Sequence, residues 1–232
     1  MEKAKISEIF LSFQGEGPFA GSRQLFVRFY GCNRSCSYCD TFLESYKSFT
    51  KDSLMGRLLG FTEDYNEIVL TGGEPLLWSG FLVEFLDVYK KHWKNGVYLE
   101  TNGTLPGELE KVVDKVDIIS MDIKLPSSTG DPCGDDIWDL HRRFVEVGSA
   151  KKMILKAVVT DMTLMEDMKA MSEIIARANA EVDIVLQPVT PVGEAVKQPD
   201  GEMLLYFKKY LEKETGRDIM VLGQLHKCLG VK

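Results

Sequence analysis

Short apolar runs alternate with helix-patterned stretches along almost all of this 232-residue chain, and that alternation restricts the fold more than any other feature. Strand-like runs fall at 24–30, 67–70, 97–99, 116–121, 152–159, 182–186 and 219–222, after a looser extended stretch at 6–11. Between them, positions 81, 82, 85, 86, 89 and 93 are apolar, the spacing of one helical face. Helices are also predicted at 136–147, from Thr163 with Leu164, Met168, Met171 and Ile175 on one face, and at 199–215 with Leu204, Phe207 and Leu211 inward. Weaker ones fall at 51–59, interrupted by Gly56, and at 107–113, whereas 126–135 is rich in Ser, Gly, Pro and Asp and reads as a loop. The methionine stripe after Thr163 is core packing. Strands that are apolar throughout belong in a parallel sheet with helices on its face. A closed eight-fold barrel takes about 250 residues, so the expectation is an α/β fold, an incomplete (partial) βα barrel of about six parallel strands. No linker composition or fixed-period repeat divides the chain. It reads as one domain over 1–232, with a strand/loop extension at 1–23 and a tail at 223–232 near the active site.

Polar or glycine-rich sequence closes strand after strand. The series is Cys32-Asn33-Arg34-Ser35-Cys36-Ser37-Tyr38-Cys39, Thr71-Gly72-Gly73-Glu74-Pro75, Glu100-Thr101-Asn102, Asp122-Ile123-Lys124 and Gln187-Pro188. In βα barrels the loops at that end build the active site. The C-x3-C-x2-C spacing can hold three irons of a [4Fe-4S] cluster and leave the fourth open, whereas electron-storage clusters take four cysteines. Zinc is a second possibility, although closed zinc sites want four ligands, and three unrelated core cysteines are a third. The two glycines before Glu74 let a ligand approach the main chain, and Glu74 can accept from an ammonium group. The loop has neither the Lys-Ser/Thr of a phosphate loop nor the spacing of a dinucleotide fingerprint. Gln14-Gly15-Glu16-Gly17-Pro18 reads as a turn.

A net charge of −7, with basic residues grouped only in pairs, argues against a nucleic-acid footprint. No apolar run approaches the roughly 20 residues that cross a bilayer, and no signal peptide opens the chain. A cytoplasmic protein acting on a small molecule, without membrane or nucleic-acid partner, is the expectation. Three of the five cysteines within eight residues suit metal chemistry in a reducing compartment.

The cysteine loop after one strand and Gly-Gly-Glu-Pro after the next resemble the radical S-adenosylmethionine (AdoMet) superfamily. The resemblance implies a [4Fe-4S] cluster on Cys32, Cys36 and Cys39, and AdoMet chelating the open iron and yielding a 5′-deoxyadenosyl radical. It places Gly73 and Glu74 by the AdoMet amino group, with further AdoMet contacts at Ser120, Asp122, Ile123, Lys124 and Gln187. Phe13-Gln14-Gly15-Glu16-Gly17, Arg28, Cys39-Asp40-Thr41 and Gln224-Leu225-His226-Lys227 narrow the likeness to the 7-carboxy-7-deazaguanine synthases of the queuosine and deazapurine pathway. That family implies a lyase acting on 6-carboxy-5,6,7,8-tetrahydropterin, with ring contraction and loss of ammonia. It further implies substrate contacts from Phe13, Gln14, Gly15, Arg28 and Thr71, a magnesium ion on Thr41, a flavodoxin or ferredoxin as electron donor, and a homodimer. A guanidinium fork at Arg28 suits a substrate carboxylate; as a strand residue, Arg28 could equally pair with a surface acid. No side chain stands out as a general acid or base. Two other functions fit the cysteine spacing: an activase installing a glycyl radical on a partner protein, and a non-enzymatic zinc or iron–sulfur module. Cys133 and Cys228 lie outside these motifs and read as structural or exposed thiols.

Overall fold

Side chains alternate between the two faces of a strand, and in this chain that alternation separates a helix-covered face from a functional one. The computed structural model describes residues 2–41, 43–130, 136–191, 193 and 196–230. In order it contains β1 (Lys3–Phe13), β2 (Arg23–Phe29), β3 (Lys47–Thr50), α1 (Lys51–Leu58), β4 (Glu67–Gly72), α2 (Ser79–His92), β5 (Gly96–Thr101), α3 (Pro106–Val112), β6 (Ile118–Asp122), α4 (Pro126–Thr129), α5 (Ile137–Gly148), β7 (Lys152–Val159), α6 (Met165–Ile175), β8 (Asp183–Pro188), α7 (Gly201–Thr215), β9 (Met220–Val221) and α8 (Leu225–Leu229). One sheet holds all the strands, in the order β3-β1-β2-β4-β5-β6-β7-β8-β9. Every neighbour from β2 to β9 is parallel, while β1 and β3 add an antiparallel margin. The sheet ends at β3 and β9 and does not close, as the chain length implied.

On the outer face, Leu25, Val27, Ile68, Leu70, Leu99, Met121, Leu155 and Leu186 pack with the helices in one core. Phe81, Phe85 and Tyr89 of α2, Phe144 of α5, Met168 and Met171 of α6 and Phe207 and Leu211 of α7 supply its other half. The intervening strand residues Phe26, Val69, Tyr98, Ile154 and Val185 form a second, smaller cluster on the inner face. The β1–β2 connection folds over that face, and Phe19 meets the Tyr98 ring edge-on at 5.6 Å. Continuing the same parity toward the strand ends gives Arg28, Thr71, Glu100, Ser120, Asp122, Lys156 and Gln187. The inner face thus carries an apolar belt, with these polar residues between it and the C-terminal ends of the strands.

Three short elements depart from the sequence pattern: β3 pairs Lys47–Thr50 with Lys3–Ile6, α4 occupies the start of the predicted loop, and α8 forms in the tail. Gly56 does not interrupt α1. The helix is fixed by a capping box, Thr50 Oγ1 accepting from Ser53 N at 3.2 Å and Thr50 N donating to Ser53 Oγ at 2.9 Å, and by burial of Leu54, Met55 and Leu58. Cys133 lies outside the described residues.

Candidate active site

A cavity of about 560 Å³ occupies the polar half of the inner face. Among the predicted site residues, Phe13, Gln14, Gly15, Arg28, Cys32, Cys36, Cys39, Thr41, Thr71, Gly73, Ser120, Asp122 and Lys124 all line it. With Glu100, Lys156, His226 and Lys227, the lining gathers residues from both ends of the chain and from five of its parallel strands.

The cysteines stand at one end of this cavity as free thiols, Cys32 and Cys39 exposed and Cys36 partly so. Their loop is fastened to the loop after β4: Gly73 N donates to Phe29 O at 3.1 Å and Glu74 N to Gly31 O at 2.9 Å. Such an approach requires glycine, because a Cβ on Gly73 would lie 2.1 Å from Gly31 O and one on Gly72 2.2 Å from Phe29 O. Cys32 Sγ accepts from Arg34 N at 3.4 Å and from Asn102 Nδ2 at 3.8 Å. Burial pushes the Cys36 thiol up to about 11 and raises Cys32 too, against the pull of Lys124. A bound metal would have to displace those protons. Among the described residues, no three His, Cys, Asp or Glu side chains converge on one point. A single zinc ion needs that convergence, whereas a four-iron cube takes its cysteines on separate corners. The donors present fit a cluster better than a lone ion.

Glu74 lies behind the wall. Its carboxylate accepts from Leu76 N at 3.0 Å, Thr101 Oγ1 at 2.9 Å and Asn102 N at 2.8 Å, so it braces the loops after β4 and β5. Burial lifts it to about 7 in spite of these bonds. Ile123 has the outward parity and is packed in the large core. Gln187 has the inward parity but is buried outside the cavity lining, its Oε1 without a partner among the described residues. His141, also fully buried, places Nε2 3.3 Å from Asn102 O, and burial holds it down at about 4.

On the cavity wall, Lys124 Nζ donates to Asp122 Oδ2 at 2.8 Å and lies 3.5 Å from Tyr38 OH, while Asp122 Oδ1 has no partner among the described residues. Lys156 Nζ bonds the Glu16 carboxylate and sits 3.7 Å from Asp122. Burial would lower Lys156, but Glu16 and Asp122 raise it, so both lysines stay cationic.

Elsewhere on the lining, Glu100 accepts from Gln14 Nε2 at 2.9 Å and Thr71 Oγ1 at 2.6 Å. Burial, then the nearby Glu16 charge, raises its carboxyl. Arg28 reaches the cavity from β2 while its Nη1 holds Glu8 at 3.2 Å and its guanidinium lies 5.2 Å from the Phe10 ring centre. Arg28 thus has an acidic partner and also lines the cavity.

The C-terminal segment joins the N-terminal connection to the cysteine loop. Leu225 N donates to Gly15 O at 2.7 Å, Gln224 Nε2 to Glu16 Oε1 at 2.7 Å, and Lys227 Nζ pairs with Asp40 at 2.9 Å. His226 and Lys227 line the cavity. Sequence pattern alone assigns no role to Glu16, Glu100, Asn102, Lys156 or His226. Strand parity is the signal that finds Glu100 and Lys156, each two positions from an inward apolar residue.

The Radical SAM superfamily profile matches residues 26–179. The 7-carboxy-7-deazaguanine synthase of Geobacter sulfurreducens is 38% identical, over 83% of this chain and 84% of that protein. That of Methanothermobacter thermautotrophicus is 34% identical, over 99% and 98%. Among solved structures, QueE from Escherichia coli aligns with a TM-score of 0.64 at 20% identity, covering 95% of this chain and 94% of that one. A radical SAM methyltransferase from Sphaerobacter thermophilus aligns at 0.62 and 17% identity, covering 92% and 68%. At such identities these two report a shared fold.

Proposed function

The chain belongs to the radical SAM superfamily and, within it, to the 7-carboxy-7-deazaguanine synthases, and on that premise we propose that it contracts 6-carboxy-5,6,7,8-tetrahydropterin to 7-carboxy-7-deazaguanine, releasing ammonia, for queuosine biosynthesis. The observation that carries this is one cavity lined both by the three cysteines and by Gln14, Arg28, Thr71 and Glu100. Cys32, Cys36 and Cys39 would hold the [4Fe-4S] cluster. Gly73, Ser120, Asp122 and Lys124 would line the AdoMet position, with Ile123, Gln187 and Glu74 supporting it from behind. When bound, cluster and AdoMet supply the one-electron chemistry that generates a carbon radical able to take a hydrogen atom.

The chain's own part is positioning. Arg28 can turn donors to the substrate carboxylate while keeping Nη1 on Glu8, because its fork has five. Glu100, fixed by Gln14 and Thr71, offers a buried acceptor to the N–H-rich edge of the pterin. Phe10, Phe13 and Phe26 present apolar surface to the same space and limit water there. Groups locked by hydrogen bonds before the substrate arrives lose little on binding it. No side chain is assigned as acid or base. Thr41, beside Asp40, is the proposed protein ligand of magnesium, which is hard and keeps most of its shell as water and substrate oxygens.

We read the chain as one domain whose segments 1–23 and 223–232 finish the site. No helix among the described residues is long and apolar enough to cross a membrane. A flavodoxin or ferredoxin donor, a homodimer and a cytoplasmic location complete the proposal on family resemblance. The test is anaerobic incubation of reconstituted protein with reductant, AdoMet, Mg²⁺ and the carboxytetrahydropterin. Deazaguanine product is expected; its absence with an intact cluster would overturn the substrate and leave the superfamily standing.

A further inference from the structure

Asn102, at the end of β5, is nearly buried and points its side-chain amide at the cysteine loop. Its orientation is fixed by a closed ring of three hydrogen bonds. Thr104 Oγ1 donates to Asn102 Oδ1 at 2.6 Å, Asn33 Nδ2 donates to Thr104 Oγ1 at 2.8 Å, and Asn102 Nδ2 donates to Asn33 Oδ1 at 2.8 Å. The direction of the ring cannot be reversed. Thr104 N, which can only donate, also contacts Asn102 Oδ1 at 3.0 Å, so that atom must be the oxygen. The amide nitrogen carries two hydrogens. One goes to Asn33, and the other is left for Cys32 Sγ at 3.8 Å.

The loop that bears Asn102 is itself immobilised, its main-chain N–H held by the Glu74 carboxylate and its carbonyl by His141 Nε2. An amide so tightly oriented costs little to keep aimed at the sulfur. We infer that Asn102 is a positioning residue for the cluster: it holds the Cys32 arm through Asn33 and donates a hydrogen bond to the Cys32 thiolate, raising the reduction potential of the cluster. This rests on the assignment of the cysteines to a [4Fe-4S] cluster made above. A donor dipole at a ligand sulfur stabilises the extra negative charge of the reduced form, and hydrogen bonds to sulfur are among the terms that set iron–sulfur potentials. Asn102 Nδ2 and Arg34 N both donate to Cys32 Sγ.

The experiment compares full-length wild type, Asn102→Ala and Thr104→Val after anaerobic reconstitution, by iron and sulfide analysis and EPR-monitored redox titration without AdoMet. Asn102→Ala is expected to lower the reduced-to-oxidised ratio at a given applied potential roughly tenfold, about 59 mV for one electron. Thr104→Val, which opens the ring but leaves the residue 104 N–H on Asn102 Oδ1, shifts it the same way by less. A fully loaded Asn102→Ala protein with an unchanged potential overturns the inference. Should that variant lose its cluster, wild type labelled with side-chain ¹⁵N-asparagine decides: a ¹⁵N coupling in the pulsed EPR spectrum of the reduced cluster supports the bond, and no coupling refutes it. Wild type that takes up no iron and sulfide would instead sink the cluster assignment itself.

Discussion

Glu16→Gln isolates the ion pair that ties the N-terminal loop to the barrel. Burial works to raise the Glu16 carboxyl, but the Lys156 ammonium against it, with hydrogen bonds from Lys156 and Gln224, overrides this and holds it at about 2 instead of 4.5. The two side chains are only 24% and 12% exposed, so solvent screens the pair weakly. At about 1.36 kcal/mol per pH unit the depression is worth about 3 kcal/mol, in the range expected when one partner of a buried pair is removed. Asp122, 3.7 Å from Lys156, remains as a partner, so a loss of about 2–3 kcal/mol at pH 7 is expected. The sign follows from the depressed carboxyl: its contribution is full above 4.5 and disappears as pH falls through about 2. Urea unfolding of reduced, cluster-free protein between pH 3 and 7 should show wild type and variant far apart at neutral pH and converging in acid. A gap below about 0.5 kcal/mol at pH 7, or one independent of pH, would refute the ion-pair account.

Gly15→Ala would set a Cβ 1.9 Å from His226 Nδ1 and 2.6 Å from His226 Cβ, and the second contact is too near the main chain to be relieved by rotating the ring. The variant should release α8, seen as faster proteolysis after Lys227 and a raised KM, with iron content unchanged. Arg28→Lys keeps the charge and the pairing with Glu8 but loses the fork. A fall in kcat/KM of about 10- to 100-fold, mostly in KM, is expected for one lost charge-assisted hydrogen bond; unchanged kinetics would remove Arg28 from the substrate end.

Most of the parallel sheet was legible because its strands are apolar on both faces and its helices carry long periodic stripes. β3, α4 and α8 were not, since four- or five-residue elements have little intrinsic preference and are held by partners distant in sequence. Gly56 misled for a related reason: its helical penalty of about 1 kcal/mol is local, whereas the burial of Leu54, Met55 and Leu58 that offsets it is tertiary. Glu74 shows the limit for the site. Its residue type suits an ammonium ligand, and only the folded chain reveals that Thr101 and Asn102 already occupy it. Lys156 was hidden inside a strand that reads as apolar, although it follows the inward Ile154 by the period of two.

The lining residues differ in how the chain encodes them. Cysteines, Gly73, Asp122 and Lys124 sit at successive strand ends, where one parallel sheet positions them directly, and short motifs suffice to mark them. Other lining residues come from outside the parallel strands. Gln14 and Gly15 come from the first connection and His226 from the last helix, joined through Leu225 N to Gly15 O and through Gln224 to Glu16. Neither segment has a place until the sheet between them exists, so this part of the lining is assembled from contacts more than 200 residues apart. The proposed substrate contacts thus come both from parallel strands, through Arg28, Thr71 and Glu100, and from the two segments outside them. Exchanging 14–19 and 224–229 together should therefore alter which small molecule is accepted while leaving iron loading intact, whereas exchanging either alone breaks the pairing of Glu16 with Gln224 and should cost both stability and substrate binding.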